Sequence, residues 1–241
     1  MNKNSLAIAT ISLARTMEEE RTLRASLQAL AELQLPLFIT DGGSSAAFVS
    51  FLQNLPEATV FAERGLWPQA RKSITEAAAS GATTIFYTEP DKEDFFRHHL
   101  AGMLAASEMT NRAGVLLASR SSAGFATFPA FQQMTEQTIN KCCEEVIGLS
   151  ADYCYGPFLF NGRLVQALNF LPENCGWGWR PALFAVAHRG GLTVDAYTGH
   201  FACPPAQRED NETERLYRMK QLSQNIDGLV MAAKDEAVKV Q

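Results

Sequence analysis

A chain of 241 residues, 46% of them hydrophobic, is long enough for one large α/β domain with an extension and too apolar to be disordered. Its formal net charge of −5, spread without a basic stripe, argues against a nucleic-acid partner. No apolar run reaches the roughly 18 residues that span a bilayer, and residues 1–6 lack the basic-then-apolar pattern of a secretion signal.

Taken in order, residues 6–13 form an apolar run of β-formers and read as a first strand. Thr16 caps a helix over 18–33, with Leu23, Leu27, Leu30 and Leu33 on one face. A second strand, 36–40, ends at the turn Asp41-Gly42-Gly43-Ser44, and 46–52 is helical. Residues 59–62 give a third strand. Residues 68–79 give a helix with Pro68 at its first position, stopped by Gly81. A fourth strand, 82–87, leads into one long helix over 91–109 with acids in its first turn, and 114–118 is a fifth strand. This alternation predicts an α/β fold with a mostly parallel central sheet and helices on both faces. Ligands on such sheets bind beyond the carboxyl ends of the strands, which here means the loops around Arg15, Asp41 and residues 89–91.

The second half is less regular. Residues 121–129 read as a loop, 131–146 as a helix, 153–158 as a strand or turn, and 161–168 as a short helix. Gly176-Trp177-Gly178-Trp179 precedes a helix over 181–188, and 192–197 is a strand. The polar tail 208–239 is helical, with Leu216, Met219, Leu222 and Ile226 near helical spacing. It packs on the domain or on a second copy, so the expected division is a domain at 1–205 and a helical extension at 206–241. Five cysteines without a regular framework indicate reduced thiols and a cytoplasmic protein.

Several local patterns admit a chemical and a structural reading. Asp41, followed by Gly42, could accept hydrogen bonds from a ribose or base, or simply organise a turn. Arg71 and Lys72 sit early in a helix, where a cation gains nothing from the dipole; they suit a phosphate, or form a solvated pair. Glu89 and Asp91 flank Pro90 at a strand end and could hold Mg2+ or Mn2+, or start a helix. His200 follows a strand and could complete such a metal site, or stand as a surface histidine. Trp177 and Trp179 could stack on a sugar or belong to the core, and Asp152, Tyr153 and Tyr155 could meet an acceptor hydroxyl or pack in a loop. Walker, GxGxxG, GxSxG and HExxH motifs are all absent from the sequence.

The order of these elements resembles the GT-A fold glycosyltransferases, the nucleotide-diphospho-sugar transferase superfamily, family 2-like. The matching stretches are Ile11-Ser12-Leu13-Ala14-Arg15, Thr40-Asp41-Gly42-Gly43-Ser44, Gly65 through Ala70-Arg71-Lys72, Thr88-Glu89-Pro90-Asp91 and Gly176-Trp177-Gly178-Trp179, over roughly residues 6–205. The resemblance implies a metal-dependent hexosyltransferase that moves a sugar from a nucleotide-diphospho-sugar to a small or soluble acceptor, with Mg2+ or Mn2+ as cofactor. It implies that Arg15, Asp41, Gly42, Arg71, Lys72, Glu89 and Arg120 contact the donor. Tyr155, Trp177 and Trp179 would face the acceptor, and Asp91 and His200 the metal. One departure matters. Where inverting members often carry an acidic base after Gly-Trp-Gly, this chain has Arg180-Pro181, and arginine is no base at neutral pH. Either Asp152 or Glu173 supplies the base, or configuration is retained, or the chain binds a nucleotide sugar without catalysis. A nucleotidyltransferase is a further alternative, although residues 12–15 are a poor version of its glycine-rich loop.

Overall fold

The computed structural model describes residues 5–107 and 113–234. In chain order the elements are β1 (Leu6–Ser12), α1 (Met17–Ala31), β2 (Leu37–Asp41), α2 (Ala46–Gln53), β3 (Ala58–Ala62), α3 (Leu66–Ala79), β4 (Thr84–Thr88), α4 (Glu93–His98), α5 (Leu100–Ala106), β5 (Ala113–Arg120), α6 (Ser122–Phe125), α7 (Ala130–Ile147), β6 (Phe158–Asn161), α8 (Trp179–Arg189), β7 (Thr193–Gly199) and α9 (Glu212–Lys234). They form two compact units: residues 1–109 with 157–165, and residues 110–156 with 166–241. α9 falls within the second unit. The expected ends of the 91–109 helix and of the 208–239 helix lie, at 108–109 and 235–239, outside the described residues.

In the first unit β3, β2, β1 and β4 run parallel in that spatial order. β1 is central, and Leu6, Ala7, Ile8 and Ala9 are all buried, as a strand covered on both faces requires. α3 packs on β1 and β2 and α2 on β3; since the chain reverses direction across the sheet after β3, the right-handed crossover rule assigns α3 to the face opposite α1 and α2. β6 adds to β4 antiparallel, pairing Tyr87 with Phe158 and Thr84 with Asn161. The strand begins at Phe158, the last residue of the 153–158 segment expected to be a strand or turn. The residues expected to form a helix at 161–168 instead make a 3-10 helix, Gly162–Leu168.

Local chemistry sets the helix ends. Thr16 Oγ1 accepts from Glu19 N at 3.1 Å and caps α1, while Glu19 Oε2 accepts from Arg15 N at 2.6 Å. Leu23, Leu27 and Leu30 supply the buried stripe, and the helix ends at Ala31 with Gln34 at φ 52°. Ser45 caps α2 by accepting from Phe48 N at 3.1 Å. α3 begins two residues earlier than expected, so Pro68 occupies its third position, where a missing N–H still costs no helical bond. Gly81, at φ 91°, ends the turn after α3 as expected. The single long helix expected after β4 is broken at His99. Its φ of −124° closes one helix onto Phe95 O and opens another, in which Met103 N donates to His99 O at 3.0 Å.

The second unit pairs β5 with β7 in parallel, with an irregularity between Ala113 and Val115. Gly114 is required there, since a Cβ would lie 2.7 Å from that of Leu192. Within the expected 121–129 loop, Ser121 caps the short α6. α7 ends at Gly148, which takes the left-handed φ of 78°. Every residue of α8 from Trp179 to Ala187 is buried, so it forms the centre of this unit, with α9 packed along α7 and α8.

Candidate functional site

The strand order turns at β1. The chain moves outward from β1 to β2 to β3, then returns to β4 on the other side of β1. In open parallel sheets the crevice outside the carboxyl ends at such a reversal is where ligands bind. The β1–α1 loop with Arg15, the Asp41 turn and the loop carrying Glu89 and Asp91 all leave this edge.

The edge is braced by hydrogen bonds. Asp41 is buried at 4% exposure and accepts from Ser12 Oγ at 2.9 Å, Ser44 Oγ at 2.6 Å, and the N–H groups of Gly43 and Ser44, each at 2.8 Å. A carboxylate offers about four lone-pair sites, and here four donors fill them. Of the two readings for Asp41, the organised turn is therefore what the geometry supplies, and a direct carboxylate bond to a nucleoside would have to displace one of these donors. Ser44 Oγ also accepts from Ala14 N at 2.9 Å, tying the first loop to the second.

The sequence reading missed Gln69. Buried on α3, its Nε2 donates to Ser12 O at 3.0 Å and Thr40 O at 3.1 Å, joining the ends of β1 and β2. A Cβ on Gly42 would lie 2.9 Å from that nitrogen, so the glycine makes room for the brace. No local signal marks it, because Gln69 and the Gly42 turn lie far apart in the chain and meet only in the fold. On the opposite side Thr10 Oγ1 donates to Thr88 O at 2.8 Å and fixes β4 against β1.

Glu89 is buried and Asp91 half-buried, with Lys92 Nζ 3.4 Å from the Asp91 carboxylate. Arg15 is exposed and reaches Glu19 at 3.8 Å. Arg71 lies over the Trp67 ring at 6.0 Å, and Lys72 pairs with Glu76 at 2.7 Å. Among the described residues no group of three or more His, Cys, Asp or Glu side chains is arranged to hold a metal. An ion such as Mg2+ takes one or two carboxylates and completes its shell with phosphate oxygens and water, so it asks no more of the protein than the residue types at positions 89 and 91.

In the second unit several of the expected site residues have structural partners. Arg120, Asp152 and Glu136 form a buried ion network. The Arg120 guanidinium donates Nε and Nη2 to Asp152, the latter at 3.0 Å, and Nη2 to Glu136 at 2.5 Å. Asp152 also accepts from Asn140 Nδ2 at 3.2 Å and Cys154 N at 3.0 Å. Burial alone would push the Asp152 carboxyl up, but the guanidinium overrides it and holds the group below the usual carboxylate range. Asp152 is thus not disposed to act as a general base. Arg120, raised above its ordinary value and enclosed by the Phe125, Phe128 and Tyr155 rings, is not disposed to meet a donor.

The expected acceptor aromatics also belong to packing. Trp179 is 0% exposed, so its ring offers no face to a sugar. Trp177 is buried, and its Nε1 donates to Tyr217 OH at 2.9 Å. Tyr155 stacks on Phe201 with centroids 4.9 Å apart. Arg180 is buried and donates Nη2 to Tyr153 O at 3.1 Å. Glu173 lies in an exposed turn, and His200 is exposed just past β7.

No family model matches the sequence, and no curated protein matches it. Solved structures do. Glucosyl-3-phosphoglycerate synthase from Mycobacterium tuberculosis in complex with Mn2+, uridine-diphosphate-glucose and phosphoglyceric acid is 14% identical, at a TM-score of 0.67 over 96% of this chain and 81% of that one. The same enzyme with Mn2+, uridine-diphosphate and phosphoglyceric acid gives 15% and 0.65 over 96% and 80%, and with Mg2+ and uridine-diphosphate 14% and 0.62 over 95% and 79%. At these identities the shared property is the fold, and it is the GT-A fold that the order of motifs implies.

Proposed function

We propose that the protein is a metal-dependent glycosyltransferase that takes a sugar from a nucleotide-diphospho-sugar and passes it to a small or soluble acceptor. The observation that carries this reading is the pair of carboxylates, Glu89 and Asp91, on a braced strand edge at the topological reversal between β1 and β4. The solved structures of the same fold hold UDP, UDP-glucose and Mn2+ or Mg2+, so uridine-diphosphate sugars are the first donors to test.

In this reading Glu89 and Asp91 hold the ion. The ion stabilises negative charge on the leaving diphosphate as a Lewis acid. Arg15, Arg71 and Lys72 attract the diphosphate or ribose by charge. Asp41 and Gln69 act through position: they fix the turn whose Gly42 and Gly43 allow close approach of a nucleoside. If the reaction inverts, Glu173 is the remaining candidate base, since Asp152 is consumed by Arg120. Five cysteines outside any disulfide suit a reducing cytoplasm, and among the described residues no helix is long and apolar enough to cross a membrane.

A specific observation favours a second reading, a donor-binding protein without turnover: Arg180 occupies the position where inverting members often carry an acid, and Asp152 is saturated. The experiment is a titration of UDP and UDP-sugars with and without Mn2+, followed by an assay for sugar release. Metal-dependent binding with hydrolysis, both lost in Asp91→Ala, supports the transferase. Binding without release under any acceptor supports the second reading. No binding by folded protein overturns both.

A further inference from the structure

The packed face of α9 carries Asn225, Gly228, Leu229 and Ala232. At about 100° per residue, the opposite face carries Glu212, Leu216, Met219, Lys220, Ser223, Asp227, Val230 and Lys234, with Met231 at its flank; all nine are exposed. Leu216, Met219, Val230 and Met231 are between 36% and 58% exposed. The charges on this face balance, two acidic and two basic. That is unlike a helix built to lie on anionic lipid, which is rich in Lys and Arg.

The order of residues along this face is self-complementary under reversal. Set antiparallel about a two-fold axis between positions 223 and 224, one α9 brings Lys220 opposite Asp227 of a second copy. Leu216 meets Met231, Glu212 comes within one residue of Lys234, and Met219 lies within two of Val230. Each contact occurs twice, as an isologous interface demands. A parallel pairing in register would set Lys220 against Lys220 and Asp227 against Asp227. We propose that α9 is the homodimerisation element of this protein, pairing antiparallel with α9 of a second copy through Leu216, Met219, Val230 and Met231, with Lys220–Asp227 pairs fixing the register. The proposal is independent of the donor site.

Sedimentation velocity of the full chain across a concentration series is the test, with cysteine cross-linking for geometry. The wild type is expected to show a concentration-dependent dimer. Lys220→Glu should weaken it roughly tenfold by placing like charges opposite each other twice, and adding Asp227→Lys should restore it. Under mild oxidation Ser223→Cys should cross-link its dimer. Leu216→Cys should not, because 15 helical residues separate it from its own copy by about 22 Å. A monomer at every concentration, cross-linking through Leu216→Cys, no rescue by the charge swap, or binding of monomers to lipid vesicles would each overturn the proposal.

Discussion

Gly178 and Gly228 meet backbone to backbone: a Cβ on Gly178 would lie 3.1 Å from the Gly228 Cα and overlap the Gln224 carbonyl, and a Cβ on Gly228 would overlap the Gly178 carbonyl. The Gly-Trp-Gly turn is therefore the seat of α9. Trp177 N–H donates to Gln224 Oε1 at 3.2 Å, and its indole to Tyr217 OH, both from that helix.

This contact predicts that Gly228→Ala destabilises the protein by about 1–3 kcal/mol, the usual cost of forcing extra atoms into a closed contact. Ala233→Ser, on the exposed side of α9, should change stability by less than about 0.5 kcal/mol. Guanidinium unfolding of both variants checks the difference. Equal stabilities would mean that α9 shifts away at no cost.

The Arg120–Asp152 pair gives a pH prediction. The Asp152 carboxyl is held below its ordinary range in the folded protein, so its contribution is fully present above the unfolded value of about 3.9 and is lost as pH falls through the folded one. Asp152→Asn should cost about 3–5 kcal/mol at pH 7, the cost of breaking a buried pair. The gap between wild type and variant should narrow below pH 4. Urea unfolding at pH 7, 5 and 3 measures it, and a gap constant with pH would deny the pair its electrostatic role.

Asp41 and Asp91 separate scaffold from chemistry. Asp41→Asn swaps one acceptor oxygen for an amide that faces buried donors, which predicts a loss of about 1–3 kcal/mol and a weakened donor site together. Asp91 is half-buried beside Lys92. Asp91→Ala should leave the melting temperature within about 2 °C while removing Mn2+-dependent donor binding. Melting curves with and without UDP and Mn2+ distinguish the two, and a large loss of stability in Asp91→Ala would place it in the scaffold.

The first unit was legible because each of its signals is local. Thr16 with Glu19 announces α1, Gly81 ends the turn after α3, and the apolar run from Leu6 is what a doubly covered strand must be. What the sequence could not show was which polar groups were already satisfied. Asp41 and Asp152 look alike as candidate chemistry in a string of letters. Only the geometry shows one filled by a turn's own N–H and hydroxyl groups and the other by an arginine 32 residues away in the chain. The same blindness made Trp177 and Trp179 look like sugar platforms, since burial depends on α8 and α9 packing around them. β6 was obscured because an antiparallel strand of four residues carries too short a pattern.

The metal assignment rests on Glu89 and Asp91, two carboxylates of one loop, and predicts coupling between them. Two ligands of one ion do not contribute independently, because losing either leaves the ion poorly held. Glu89→Ala and Asp91→Ala should each weaken Mn2+-dependent UDP binding by at least about tenfold, and the double variant should be little worse than Asp91→Ala alone. Titration calorimetry at fixed Mn2+ closes the cycle. Losses that simply add would make Glu89 a separate contact with the donor. No loss in Glu89→Ala would leave that buried carboxylate part of the scaffold.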